Sequence, residues 1–185
     1  NDAYGFFDEL CRKYGVQTAR VLRNTIDRLY VSMPLCTWVP KHETFIAHAG
    51  PPLLLNGRGA SSEEIGKIPR KLFSRTVASK TMPGGAATAE EGAHILEALL
   101  WGDPDPHMSA VGVRASNRGA GILYSVDACL EWMTTNGVSC FVRSHQCVQF
   151  GYEKMRGNDH RCKRSIYTVF SSANYRGAEN DGAVL

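Results

Sequence analysis

A chain of 185 residues with 43% hydrophobic and 21% charged side chains has the composition of one soluble globular domain with a sizeable core. Its net charge of +3 is too small and too dispersed for a nucleic-acid binder. The basic clusters Lys67 to Lys80 and Lys154 to Arg164 therefore read as solvated faces, with an anion or partner surface as the alternative. No apolar run reaches transmembrane length and no signal peptide is recognisable, so neither nucleic acid nor membrane is expected as a partner. The cysteines Cys11, Cys36, Cys129, Cys140, Cys147 and Cys162 form no CxxC pair, and several sit inside apolar runs. With no Asn-x-Ser/Thr acceptor either, a reducing interior is expected, the cytoplasm first and the nucleus second. The chain opens on Asn1-Asp2-Ala3 without Met and stops on Gly182-Ala183-Val184-Leu185, which reads as mid-strand; a piece of a longer chain is expected.

Tyr4 to Tyr14 places Phe6, Phe7, Leu10 and Tyr14 at helical spacing, with Gly15 as the stop, and Thr18 to Tyr30 repeats the pattern. The period then changes. Val31 to Val39 is β-rich, Thr44 to Ala47 is a second apolar run, and the pair reads as a hairpin. Residues 53–88 are punctuated by glycine and proline and predict an irregular or mobile surface segment with one or two short helices. Thr88-Ala89-Glu90-Glu91 has capping-box form and opens a helix to about Leu99, which Gly92 weakens. A second helix runs from Ser125 or Val126 to Asn136 and ends at Gly137. Strands follow at Ser139 to Arg143, Cys147 to Lys154, Ser165 to Phe170 and from Ala183 onward, as a late β-meander. The whole is α/β or α+β, with residues 1–185 as one domain.

Two histidines stand where apolar runs exit into turns: His48 after Phe45-Ile46-Ala47, and His145 after Cys140-Phe141-Val142-Arg143-Ser144. A rigid strand fixes an imidazole while the following loop leaves room for another ligand, so the pair suits a metal site; a capping or hydrogen-bonding role is the plainer alternative for either alone. Arg118 lies in a Gly-rich turn, either as a surface residue or as a bidentate phosphate grip. The glycines beside it lack the third member and the preceding strand of a dinucleotide fingerprint. Tyr175 is on a polar loop directly after an apolar strand, as a binding element or a turn-packing one. Asp103 and Asp105 flank a proline, where acids usually form a turn and occasionally bind metal.

The order of these motifs, Tyr4-Gly5-Phe6-Phe7-Asp8-Glu9, His48-Ala49-Gly50, Leu99-Leu100-Trp101-Gly102-Asp103-Pro104-Asp105, Asn117-Arg118-Gly119, Arg143-Ser144-His145-Gln146, Gly151-Tyr152-Glu153 and Phe170-Ser171-Ser172-Ala173-Asn174-Tyr175, closely resembles the metal-dependent serine/threonine phosphoprotein phosphatase family over essentially the whole chain. The Arg-Ser-His form is more similar to its calcium-regulated and tetratricopeptide-bearing branches. The resemblance implies a β-sandwich flanked by helices, of calcineurin-like metallophosphoesterase type and present only in its C-terminal part. It implies hydrolysis of phosphoserine and phosphothreonine in proteins by a metal-activated water. His48 and His145 would be ligands of one ion of a dinuclear manganese, iron or zinc centre, Arg118 would grip the phosphate, Tyr175 would lie over the site, and Asp103 would stand behind it. Two such cations about 3.5–4 Å apart clamp the phosphate for in-line attack. Phosphoprotein substrates and regulatory subunits or domains are the implied partners.

Departures from the pattern matter. The family's earlier metal-ligand motifs have no counterpart in these residues, and a catalytic ion takes about three protein ligands. The chain is therefore either the C-terminal portion of an active phosphatase or a catalytically inactive pseudophosphatase serving as a docking scaffold. Ala49 replaces the usual glycine after the histidine and would crowd the backbone if that position needs φ > 0. The usual proline before Asn174 is absent, and Arg176 stands where many relatives carry a cysteine. If His48 and His145 share an ion, their imidazoles lie within about 3–5 Å of each other, and a separation above about 10 Å in coordinates would exclude it.

Overall fold

A computed structural model describes residues 5–70, 89–108, 110–157 and 163–185. They fall into two compact units, one ending at Pro34 and one running from Leu35 to Leu185. The first unit is helix α1, Phe6–Ser32, which Gly15 (φ 76°, ψ 157°) breaks into two helical segments as the periodicity predicts. Val31 and Ser32 are helical rather than β, and the turn back comes at Met33, whose N–H donates to the carbonyls of Leu29 and Tyr30. Pro34 explains that position, because its ring disfavours helical geometry in the residue before it.

In the second unit β1 (Cys36–Val39) and β2 (Thr44–Ala47) form the expected antiparallel hairpin, turned by a single 3-10 turn at Pro40–His42. Among its described residues, the segment expected to be irregular surface holds the short helix α2 (Ser62–Gly66), with a complete capping box between Ser61 and Glu64. Its Leu53, Leu54, Ala60, Ile65 and Ile68 are buried core residues. Residues 71–88, with the Pro83-Gly84-Gly85 turn and Thr88, lie outside the described residues. Helix α3 spans Ala89–Trp101 and passes through Gly92 without fraying. Burial of Ile95, Leu96, Ala98 and Leu99 outweighs the roughly 1 kcal/mol that a helical glycine costs.

Strands β3 (Asp103–Pro104), β4 (Val113–Ala115) and β5 (Ile122–Tyr124) make a small sheet in the order β3-β5-β4. Helix α4 (Val126–Thr135) follows, its N-terminus capped by Ser125, whose hydroxyl accepts from the Ala128 N–H. The larger sheet adds β6 (Cys140–Arg143), β7 (Tyr152–Met155) and β8 (Ser165–Val169) in the order β1-β2-β6-β8-β7. The late strands are thus no meander. Instead β8 inserts between β6 and β7, parallel to β6 and antiparallel to β7. Residues from Ala183 onward form no strand. One core joins Phe45, Phe141 and Ile166 of the large sheet to Ile122 and Tyr124 of the small one, with Leu99 and Trp132 from the helices.

Backbone contact locks the end of α3 to the loop after β2. The Ala49 N–H donates to Leu99 O (2.8 Å), and the Gly50 and Gly102 N–H groups donate to Ala98 O at 3.0 and 2.9 Å. The Gly102 bond is the last i to i−4 bond of α3 itself, while the Ala49 and Gly50 bonds reach the helix-end carbonyls from the loop after β2. Ala49 has no positive φ, so the crowding expected of it does not arise. The tight positions are Gly50 and Gly102, where a Cβ would stand 2.8 and 2.5 Å from Ala98 O. Gly102→Ala is therefore expected to cost about 1–3 kcal/mol, as overpacked sites do. Thermal or urea denaturation would measure it, and an unchanged midpoint would contradict this close approach.

Candidate active site

Strands β2, β6 and β8 run parallel to one another, so the loops at their C-terminal ends leave from the same edge of the sheet. Ligand sites in such sheets form outside the carboxyl ends of the strands. The loop after β2 carries His48, the loop after β6 carries His145, and the loop after β8 carries Tyr175. The Ser144 N–H donates to His48 O (3.0 Å), extending the ladder to the two histidines. His48 Nε2 and His145 Nδ1 face each other at 3.2 Å, within the expected separation. His145 takes φ 74° while Gln146 N donates to Ser144 O, the strained left-handed form of the γ-turn. That turn aims the ring back at His48, edge-on to Trp101 at 5.4 Å between centroids.

Both imidazoles are held neutral. Burial lowers the His48 pKa, and the Arg143 charge pushes it the same way. Burial takes His145 down to about 4; Asp103 resists the shift, while His48, Arg143 and Arg118 add to it. A neutral imidazole offers the lone pair that a metal requires. Nitrogens each about 2.0–2.1 Å from one ion, at tetrahedral or octahedral angles, stand about 2.9–3.4 Å apart. The observed pair has that spacing, and His145 Nε2 is buried without a hydrogen-bond partner. The two residues therefore fit as part of an ion's coordination shell. Among the described residues no group of three or more His, Cys, Asp or Glu side chains could hold a metal by itself.

Beside them Asp103, 2% exposed, divides its two oxygens between two arginines. Oδ2 pairs with Arg118 Nη2 and Oδ1 accepts from Arg143 Nη2, both at 3.0 Å. Arg118 rises from the turn between β4 and β5, where the Ser116 N–H donates to Gly121 O (3.1 Å). Gly121 closes that turn at φ 77° in contact with Trp101, where no side chain fits. Half of the Arg118 side chain remains exposed, so its guanidinium can meet an anion from solvent. Asp105 has a different task. Its carboxylate accepts from the His107 N–H (3.0 Å) and pairs with Arg114 (2.7 Å), so it forms a turn and an ion pair.

Motif reading names Arg143 but assigns it no role. Its signal was phase: in β6 the buried positions alternate, and Arg143 shares the inward face with Phe141. Asn180 was likewise unassigned. Buried at 4% exposure, it accepts from the Tyr175 N–H (2.8 Å) and donates to the carbonyls of Ser172 and Asp181 (2.8 Å each). Tyr175 itself packs edge-on against Phe170 and lies under Arg176, and takes no part in the histidine pair or the Asp103 network.

Known proteins are similar to this chain in sequence and, in one solved structure, in fold. The chain is 28% identical over 185 residues to the probable serine/threonine-protein phosphatase ECU05_0440 of Encephalitozoon cuniculi, and 29% identical over 188 residues to the serine/threonine-protein phosphatase BSL2 of Arabidopsis thaliana. All of this chain is covered in both comparisons. It spans 34% of the first relative and 16% of the second. A solved serine/threonine phosphatase from Saccharomyces cerevisiae, similar to human phosphatase PP5, superposes with a TM-score of 0.62 at 23% identity, covering 95% of this chain and 45% of that one. The chain matches part of a catalytic domain of the phosphoprotein phosphatase family. No family model matches it.

Within this fold the Tyr175 loop depends on one buried amide. Asn180→Ala removes the acceptor of the Tyr175 N–H and strands two carbonyls. It is expected to destabilise the protein by about 1–3 kcal/mol and to abolish protection of the Tyr175 amide. Hydrogen exchange by NMR would read this directly, and a Tyr175 amide that stays protected in the variant would refute the clamp.

Proposed function

We propose that the complete protein hydrolyses phosphoserine and phosphothreonine in protein substrates by a metal-dependent route. The observation that carries this reading is the 3.2 Å approach of His48 Nε2 to His145 Nδ1, two neutral imidazoles spaced to share one ion. When bound, a pair of manganese, iron or zinc ions would supply electrophilic assistance to the phosphate and an acidified water. His48 and His145 would hold one ion, with the remaining ligands contributed by residues beyond these 185. Arg118 would take the phosphate oxygens bidentately, its guanidinium oriented by Asp103, and Tyr175 would border the same edge of the sheet.

Two ligands are fewer than a catalytic ion takes, and a docking scaffold that has kept the fold without the chemistry is the competing reading. Regulatory subunits or domains are proposed partners of either form. No helix among the described residues is long and apolar enough to cross a membrane. A reducing compartment, cytoplasmic or nuclear, is proposed on the cysteine usage of the sequence, which has no CxxC pair.

The 185-residue chain alone is expected to show no metal-dependent turnover of phosphopeptides. A longer protein carrying the family's upstream motifs is expected to be active and to lose activity to a chelator. In it His145→Ala should abolish turnover with loss of bound metal, whereas Arg118→Ala should keep the metal and lower kcat/KM by about 10²–10³. Indifference to His145→Ala would overturn the site, and a longer protein that binds partners without turnover would establish the scaffold. Because Arg176 offers no thiol after Tyr175, cyclic-peptide toxins that alkylate this loop in relatives should bind only reversibly. A toxin adduct on the loop by mass spectrometry would refute that alignment.

A further inference from the structure

The Arg143 side chain is fully buried, and its guanidinium makes five hydrogen bonds. A guanidinium has five N–H donors, so none is left over. Three of its acceptors matter to the site. Nε donates to Ala49 O (2.6 Å), the residue directly after His48. Nη1 donates to Gln146 Oε1 (2.6 Å), the residue directly after His145. Nη2 donates to Asp103 Oδ1 (3.0 Å), whose other oxygen holds Arg118. The remaining two, Thr168 Oγ1 (3.3 Å) and Gly102 O (3.2 Å), fix the plane of the group against β8 and the start of β3.

Resting on the phosphatase reading above, we infer that Arg143 is a positioning residue that sets the two histidines and the phosphate-binding Arg118 in one frame. It touches neither substrate nor ion. A planar fork meets all five acceptors only when the loop after β2, the turn after β6 and the Asp103 carboxylate stand in one relative arrangement. A displacement of any one of these groups breaks a charge-assisted bond to a guanidinium that is itself fully buried. Metal affinity and phosphate affinity thereby share one support, with a separate arm of this single side chain serving each. Lysine cannot substitute, since a point charge with three donors cannot span acceptors on three sides of a plane.

The test uses the complete protein, with manganese bound per chain by elemental analysis and the competitive Ki of inorganic phosphate as the two readouts. In Arg143→Lys both should weaken, each by about tenfold, the size of a lost hydrogen bond to a charged group. Should that variant fail to fold, Asp103→Asn and Gln146→Ala separate the two arms. Asp103→Asn should raise the phosphate Ki about tenfold and leave manganese bound, with no further effect once Arg118 is already alanine. Gln146→Ala should lower manganese binding and leave the phosphate Ki, measured at saturating manganese, within about twofold. Folded variants that keep wild-type manganese content and phosphate Ki while losing only thermal stability would overturn the inference and leave the phosphatase reading intact. Wild-type protein that binds neither manganese nor phosphate would overturn both.

Discussion

A guanidinium with no exposed surface is the constraint around which this fold is arranged. Removing a cation from water costs many kcal/mol unless charge and hydrogen bonds replace the solvent, and Arg143 recovers both from four separate parts of the chain. Two of its acceptors are main-chain carbonyls, which only the path of the backbone can deliver. The counter-ion, Asp103, is buried as deeply as the arginine it balances. Removing either partner would leave the other charged and uncompensated in the protein interior, so the pair demands that the small sheet, the large sheet and the end of α3 meet where they do.

That meeting place coincides with the carboxyl ends of three parallel strands. Parallel pairing of β2, β6 and β8 directs their exit loops to one edge, and each loop bears a polar residue at its tip. Such loops carry main-chain groups that need partners, and for the loop after β2 helix α3 provides them through the carbonyls of Ala98 and Leu99. The glycines at 50 and 102 follow from the same contact, because backbone lies against backbone with no room for a side chain. Rigid scaffold and functional loops are thus one hydrogen-bonded object.

The electrostatics follow from this arrangement. Asp103 offsets one of the two arginines beside it and leaves positive charge facing solvent at Arg118. Burial, with the positive field adding to it, keeps His145 unprotonated and its lone pair available. A neutral nitrogen pair next to an exposed cation suits a dianionic phosphate ester drawn toward a metal. The likeness in sequence to two serine/threonine-protein phosphatases agrees with that chemistry.

Local signals in the sequence determined the long helices, the break at Gly15, the first hairpin and the two histidines at strand exits, because turns and periodicity are written within a few neighbouring residues. The convergence of His48 and His145 was legible from motif order, though not from spacing alone. Only the tertiary structure decided that β8 separates β6 from β7, that Leu53 to Ile68 feeds the core, and that Asp105 pairs with Arg114. It also decided the role of Arg143, whose partners at Ala49 and Asp103 lie 94 and 40 residues away in sequence. Strand order and buried charge pairing relate distant residues through space, and no local pattern along the chain records which distant group will arrive to satisfy a buried one.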